Sequence, residues 1–145
     1  MTDAAAAIDA DATEQARLVR TGAVSALELV DEAIAHIEAL NPRLNAVIWT
    51  RFDEARDDAR RVGPDSTGPF AGVPFLWKDI GAVTAGMPLW LGNRVLRDID
   101  YRAPADTVFG ARLRAAGFIV LGKTNIPELG STPTTSKPRS RSASS

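Results

Sequence analysis

The chain has 145 residues, 45% of them apolar, with a formal net charge of −1, enough for about one domain with its own core. The charge balance gives no electrostatic footing for nucleic acid or an anionic membrane surface. The absence of cysteine excludes a disulfide scaffold, thiolate metal sites and a thiol nucleophile.

The opening residues carry Asp3, Asp9 and Asp11 with no basic segment ahead of an apolar one, which does not read as a signal peptide. The longest uncharged run, residues 80–93, is broken by Gly81, Gly86 and Pro88 and falls short of the ~20 residues a membrane helix needs. A cytoplasmic protein that does not engage a membrane is expected. Asp11 with Glu14 opens a short helix that stops at Thr21-Gly22. Ser25 and Glu28 have the capping-box spacing, and Leu27, Val30, Ile34 and Ile37 then recur at helical period until Asn41-Pro42 ends the pattern. His36, the one histidine, falls away from that stripe and faces solvent. Residues 44–50, L-N-A-V-I-W-T, read as a strand. Residues 51–62 read as a solvated helix whose charges pair locally, and 63–69 as a loop.

Residues 68–81, G-P-F-A-G-V-P-F-L-W-K-D-I-G, are the stretch around which the rest is organised. Val73, Phe75 and Trp77 point to one face of a strand, and Pro74, Leu76 and Lys78 to the other, so both faces read as mostly buried. Lys78 then emerges at the carboxyl end, where open α/β sheets keep their ligand sites. A lysine desolvated there would have its amine favoured over the ammonium and could act as a base. The competing reading is a lysine that lays its stem on apolar surface with its ammonium in water, or one that pairs with Asp79.

Residues 81–104 form a long connection of weak secondary-structure signal, with Trp90 and Tyr101 as cleft-lining or packing aromatics. Pro104 starts a predicted helix to Ala116 with Val108, Leu113 and Ala116 inward, and Gly117 stops it. Residues 118–121, F-I-V-L, are a second short apolar strand, so the order from Val73 is strand, helix, strand, a βαβ unit. Residues 122–130, G-K-T-N-I-P-E-L-G, read as the loop after it, with Thr124 or Asn125 capping a short helix. A phosphate-loop reading of G-K-T fails because the strand occupies the positions after Gly117. From Ser136 the composition turns to S-K-P-R-S-R-S-A-S-S, a disordered Ser/Arg-rich tail over 136–145 after a domain over 1–135.

Taken together, residues 68–79, residues 121–130 and the front segment I-E-A-L-N-P-R-L-N-A-V resemble the amidase signature hydrolases over residues 11–135. The resemblance implies an α/β fold: N-terminal helices plus the first part of a mixed, largely parallel sheet, incomplete here. It implies hydrolysis of amide bonds, linear or cyclic, by a Ser/cis-Ser/Lys triad without metal or cofactor, acting on a small-molecule amide, and it allows a homodimer when complete. The lysine carried over is Lys78. The glycine-serine-rich segment that supplies both serines and the oxyanion loop has no counterpart among Ser131, Ser136 and the later serines, so this chain alone is expected to be inactive. A shifted reading frame after Thr135 would produce the pattern. The rival readings are a non-catalytic binding module and a fragment of an amidotransferase subunit that releases ammonia from glutamine or asparagine. Residues 86–107 resemble 6-aminohexanoate cyclic-dimer hydrolase-like amidases more than amidotransferase subunits.

Overall fold

Side-chain caps set where the helices begin. In a computed structural model, which describes residues 4–63, 65–133 and 135, a short helix α1 (Ala4–Ala7) precedes α2 (Ala12–Arg20). Asp11 caps α2 by accepting from the N–H groups of Thr13 and Glu14, each at 2.9 Å. Helix α3 (Ala26–Leu44) starts on the predicted capping box, Ser25 Oγ accepting from Glu28 N while the Glu28 carboxylate accepts from Ser25 N.

Two boundaries differ from expectation at the far end of α3. The helix continues through Pro42 to Leu44. Proline in the last turn removes only one helical hydrogen bond, and Asn41 fixes the exit: its Nδ2 donates to Val47 O and its Oδ1 accepts from Val47 N, both at 2.9 Å. Asn45 then adopts a left-handed conformation, φ 50°, and donates to Asn41 O, a geometry asparagine tolerates better than most residues. Strand β1 (Val47–Thr50) therefore begins three residues later than predicted.

Helix α4 (Phe52–Arg60) follows as predicted. Its charged face is tied by local pairs, Arg60 with Asp57 and Arg61 with Asp58, and to α3 by Arg56 with Asp31 at 2.7 Å. Strand β2 (Pro74–Lys78) and strand β3 (Ile119–Thr124) run parallel, while β1 pairs with β3 antiparallel. Among the described residues the sheet has three strands in the order β1-β3-β2. It is mixed, as expected, with β3 at its centre.

Ile119 and Leu121 pack with Val30, Ile34, Ala55 and Ala59, so α3 and α4 cover one face of the sheet. Val120 and Trp77 pack with Ala82, Phe75, Met87 and Leu113, so the connection after β2 and helix α6 (Val108–Ala115) cover the other. The two-faced cover is what the sequence implied, although Pro74, Phe75 and Leu76 are half-buried and only Trp77 in β2 is fully buried.

The segment between β2 and β3 holds a short helix α5 (Arg94–Asp98) and then α6. Helix α6 begins at Val108 on a Thr107 cap rather than at Pro104, and Val108 is exposed instead of inward. Thr107 sets the rotation: its Oγ1 accepts from Gly110 N at 3.1 Å and donates to Gly81 O at 3.0 Å. That fastening turns Gly110 and Leu113 toward the sheet. The second strand also runs further than read, through Gly122, Lys123 and Thr124. The segment beyond it holds a single 3-10 turn, Glu128–Gly130, without a side-chain cap from Thr124 or Asn125. The expected tail, 136–145, lies outside the described residues.

Candidate active site

Lys78 is the last residue of β2, opposite Thr124 at the end of β3. Parallel pairing brings the two carboxyl ends together, as the strand-helix-strand order predicts. The Lys78 ammonium donates to the carbonyl of Asn125, the residue just beyond β3, at 2.7 Å. The side chain is exposed among the described residues, so the burial that the sequence argument invoked is not supplied by them. Lys78 does not pair with Asp79.

Asp79 instead turns to the opposite face and is buried with Lys123. The two form an ion pair, Lys123 Nζ to Asp79 Oδ1, at 3.0 Å. Lys123 also donates to Pro88 O, and Trp90 N donates to Asp79 Oδ1 at 3.3 Å. Taking charges out of water is costly unless they are paired and bonded, and here both ends of the pair are engaged by the same connection. Sequence reading treated Lys123 only as part of a rejected phosphate loop. The signal that finds it is register. Between Phe75 and Leu76 the β2–β3 pairing slips by one residue, and such a slip exchanges the faces to which the following side chains point. Beyond the slip Lys123 stands opposite Trp77, and Asp79 lies two residues past Trp77, on the same face.

Trp90 is half-buried, while Tyr101 is 40% exposed at the surface. His36 is exposed beside Glu32, 3.3 Å away on the same helix and far along the chain from Lys78. Among the described residues no group of three or more His, Asp or Glu side chains is placed to hold a metal ion. No described helix is long and apolar enough to cross a membrane. The arrangement thus offers one amine at a strand end, fixed by a backbone carbonyl, above a buried ionic pair.

The family model for Amidase matches residues 28–143. The 6-aminohexanoate-cyclic-dimer hydrolase of Paenarthrobacter ureafaciens is 46% identical over 125 residues, covering 86% of this chain and 24% of that protein. A glutamyl-tRNA(Gln) amidotransferase subunit of Salinispora tropica is 40% identical over 122 residues, covering 81% of this chain and 24% of that protein. A solved structure of 6-aminohexanoate cyclic dimer hydrolase superposes with a TM-score of 0.79 at 45% identity, over 88% of this chain and 26% of that one. The chain spans about a quarter of the length of the curated relatives it matches.

Proposed function

The chain belongs to the amidase signature family, and from that premise we propose that it forms the lysine-bearing N-terminal part of a hydrolase of linear or cyclic amides. Lys78 is the base of a Ser/cis-Ser/Lys triad. As a free amine it draws a proton through the bridging serine, the nucleophilic serine attacks the amide carbonyl, and water then releases the acid from the acyl-enzyme. No metal or cofactor takes part. The observation that carries this reading is the place of Lys78: the end of a parallel strand beside a second strand end, its Nζ held 2.7 Å from Asn125 O.

The serines and the cover that would desolvate Lys78 come from sequence corresponding to the remaining three quarters of the relatives. Without them this chain does not turn over amides. The substrate is a small-molecule amide. A second reading, an amidotransferase subunit releasing ammonia from glutamine or asparagine, is favoured by the 40% identity to one such protein; the higher identity to the cyclic-dimer hydrolase weighs toward the first.

Joining residues 1–130 of this chain to the remainder of the cyclic-dimer hydrolase and assaying 6-aminohexanoate cyclic dimer and glutamine tests whether this part serves amide hydrolysis. The joined protein is expected to open the cyclic amide, and the chain alone to leave both compounds intact. A folded joined protein that hydrolyses neither, or hydrolysis by the chain alone that disappears in Lys78→Ala, would overturn the proposal.

A further inference from the structure

The reaction proposed above makes no use of Lys123 and Asp79, whose charged side chains are 2% and 0% exposed. Their pair joins three pieces of chain. Asp79 extends β2, Lys123 belongs to β3, and both hold the connection through Pro88 O and Trp90 N. The connection is itself laddered at this point, with Gly86 N on Ala103 O at 2.9 Å, Ala103 N on Met87 O at 3.0 Å and Leu89 N on Tyr101 O at 2.9 Å. One residue before Asp79 and two residues after Lys123, on the other side of the same two strand ends, Lys78 meets Asn125. Asp79 N donates to Thr124 O at 3.3 Å between the two contacts. A buried pair is screened little by salt, so it holds its geometry where a surface pair would not.

The geometry points to Lys123 and Asp79 as positioning residues for Lys78: the buried pair fixes the ends of β2 and β3 side by side and thereby holds the Lys78 ammonium on the Asn125 carbonyl. The catalytic value of this arrangement rests on Lys78 being the base proposed above; the positioning itself does not.

The sequence has three lysines, Lys78, Lys123 and Lys137, which makes amine acylation a residue-resolved probe. Acylation needs the nitrogen lone pair, so an ammonium reacts only after giving up a proton to solvent, and a carbonyl that accepts a hydrogen bond from it favours the protonated, unreactive form. The 145-residue chain is treated with a water-soluble acylating ester, and modification of Lys78 relative to Lys137 is read by peptide mass spectrometry. Lys123→Met/Asp79→Leu replaces the pair by apolar side chains of similar size and leaves no lone buried charge. Releasing Lys78 from one hydrogen bond should raise its relative acylation by about two- to tenfold, the net scale of such a bond, with the far-UV helix signal unchanged. Lys123→Arg, which keeps the cation, should stay at the wild-type ratio. An unchanged ratio in the folded double variant would overturn the inference. So would a double variant that loses its helix signal, since the pair would then serve folding, or a Lys123→Arg chain as reactive as the double variant. If Lys78→Met retains turnover in the joined protein while the ratio rises as expected, the catalytic reading fails and the positioning stands.

Discussion

Gly122→Ala tests whether β3 sits between its neighbours as closely as described. A Cβ built at Gly122 would lie 2.2 Å from Trp49 O and 3.1 Å from Thr50 Cα, whereas real Cβ contacts do not fall below 3.0 Å. Relief therefore needs a shift of 3.0 − 2.2 = 0.8 Å. Both obstructing atoms are backbone, so no side chain can swing aside, and β1 must back away. Arg51 N donates to Leu121 O at 2.9 Å beside this point, and a displacement of that size takes the pair beyond hydrogen-bonding range. Overpacking costs about 1–3 kcal/mol and the lost bond about 1 kcal/mol net. The sum, about 2–4 kcal/mol, is a large part of the ~5–15 kcal/mol that stabilises an ordinary domain. Urea unfolding followed by far-UV circular dichroism should show a midpoint lowered by about 1–2 M at a slope near 2 kcal/mol per M. Gly63→Ala is the control, because nothing lies within 4 Å of its Cβ and Ala at a compatible position stabilises by about 0.4–1 kcal/mol through the unfolded chain. A Gly122→Ala midpoint indistinguishable from that of Gly63→Ala would refute the packing argument.

Ile34, 1% exposed between α3, α4 and the sheet, should cost about 2–5 kcal/mol on truncation to Ala and about 0.5–1.5 kcal/mol on truncation to Val, read by the same unfolding assay. The Ser25 backbone N–H, and after it the Ser25 hydroxyl, hold the Glu28 carboxyl below the usual glutamate range. A lowered folded value means that the contribution is complete above the unfolded value and is lost as pH falls through the folded one. The thermal stability advantage of wild type over Glu28→Gln should therefore shrink on acidification below the ordinary glutamate range. An advantage that grows or stays constant there would contradict the capping geometry.

What was legible in the sequence was mostly local. The caps at Asp11 and Ser25 depend on side chains reaching their own first turns, so spacing alone located them. The strand at 74–78 and its parallel partner followed from apolar runs separated by a helix, and with them came the position of Lys78. Ends set by contacts from elsewhere were misplaced. Pro42 stays inside α3 because Asn41 clasps Val47 from across the turn. Val108 faces outward because Thr107 ties α6 to Gly81. Lys123 was hidden by the pairing slip opposite Phe75 and Leu76, since alternation counted from Val120 puts it on the wrong face. A polar triplet, Gly122-Lys123-Thr124, looked like a loop because its charge is neutralised by Asp79, 44 residues away. Only the paired register brings those two residues together.

Lys78→Met in the joined protein tests most directly whether Lys78 is the base of amide hydrolysis. Methionine keeps a similar stem and removes the amine, so substrate binding should suffer less than the chemical step. A base at Lys78 entails a fall in kcat of at least about 10²-fold, the lower scale of general-base effects, with KM changed much less. Turnover equal to that of the unsubstituted joined protein would contradict it and leave Lys78 a packing residue at the end of β2.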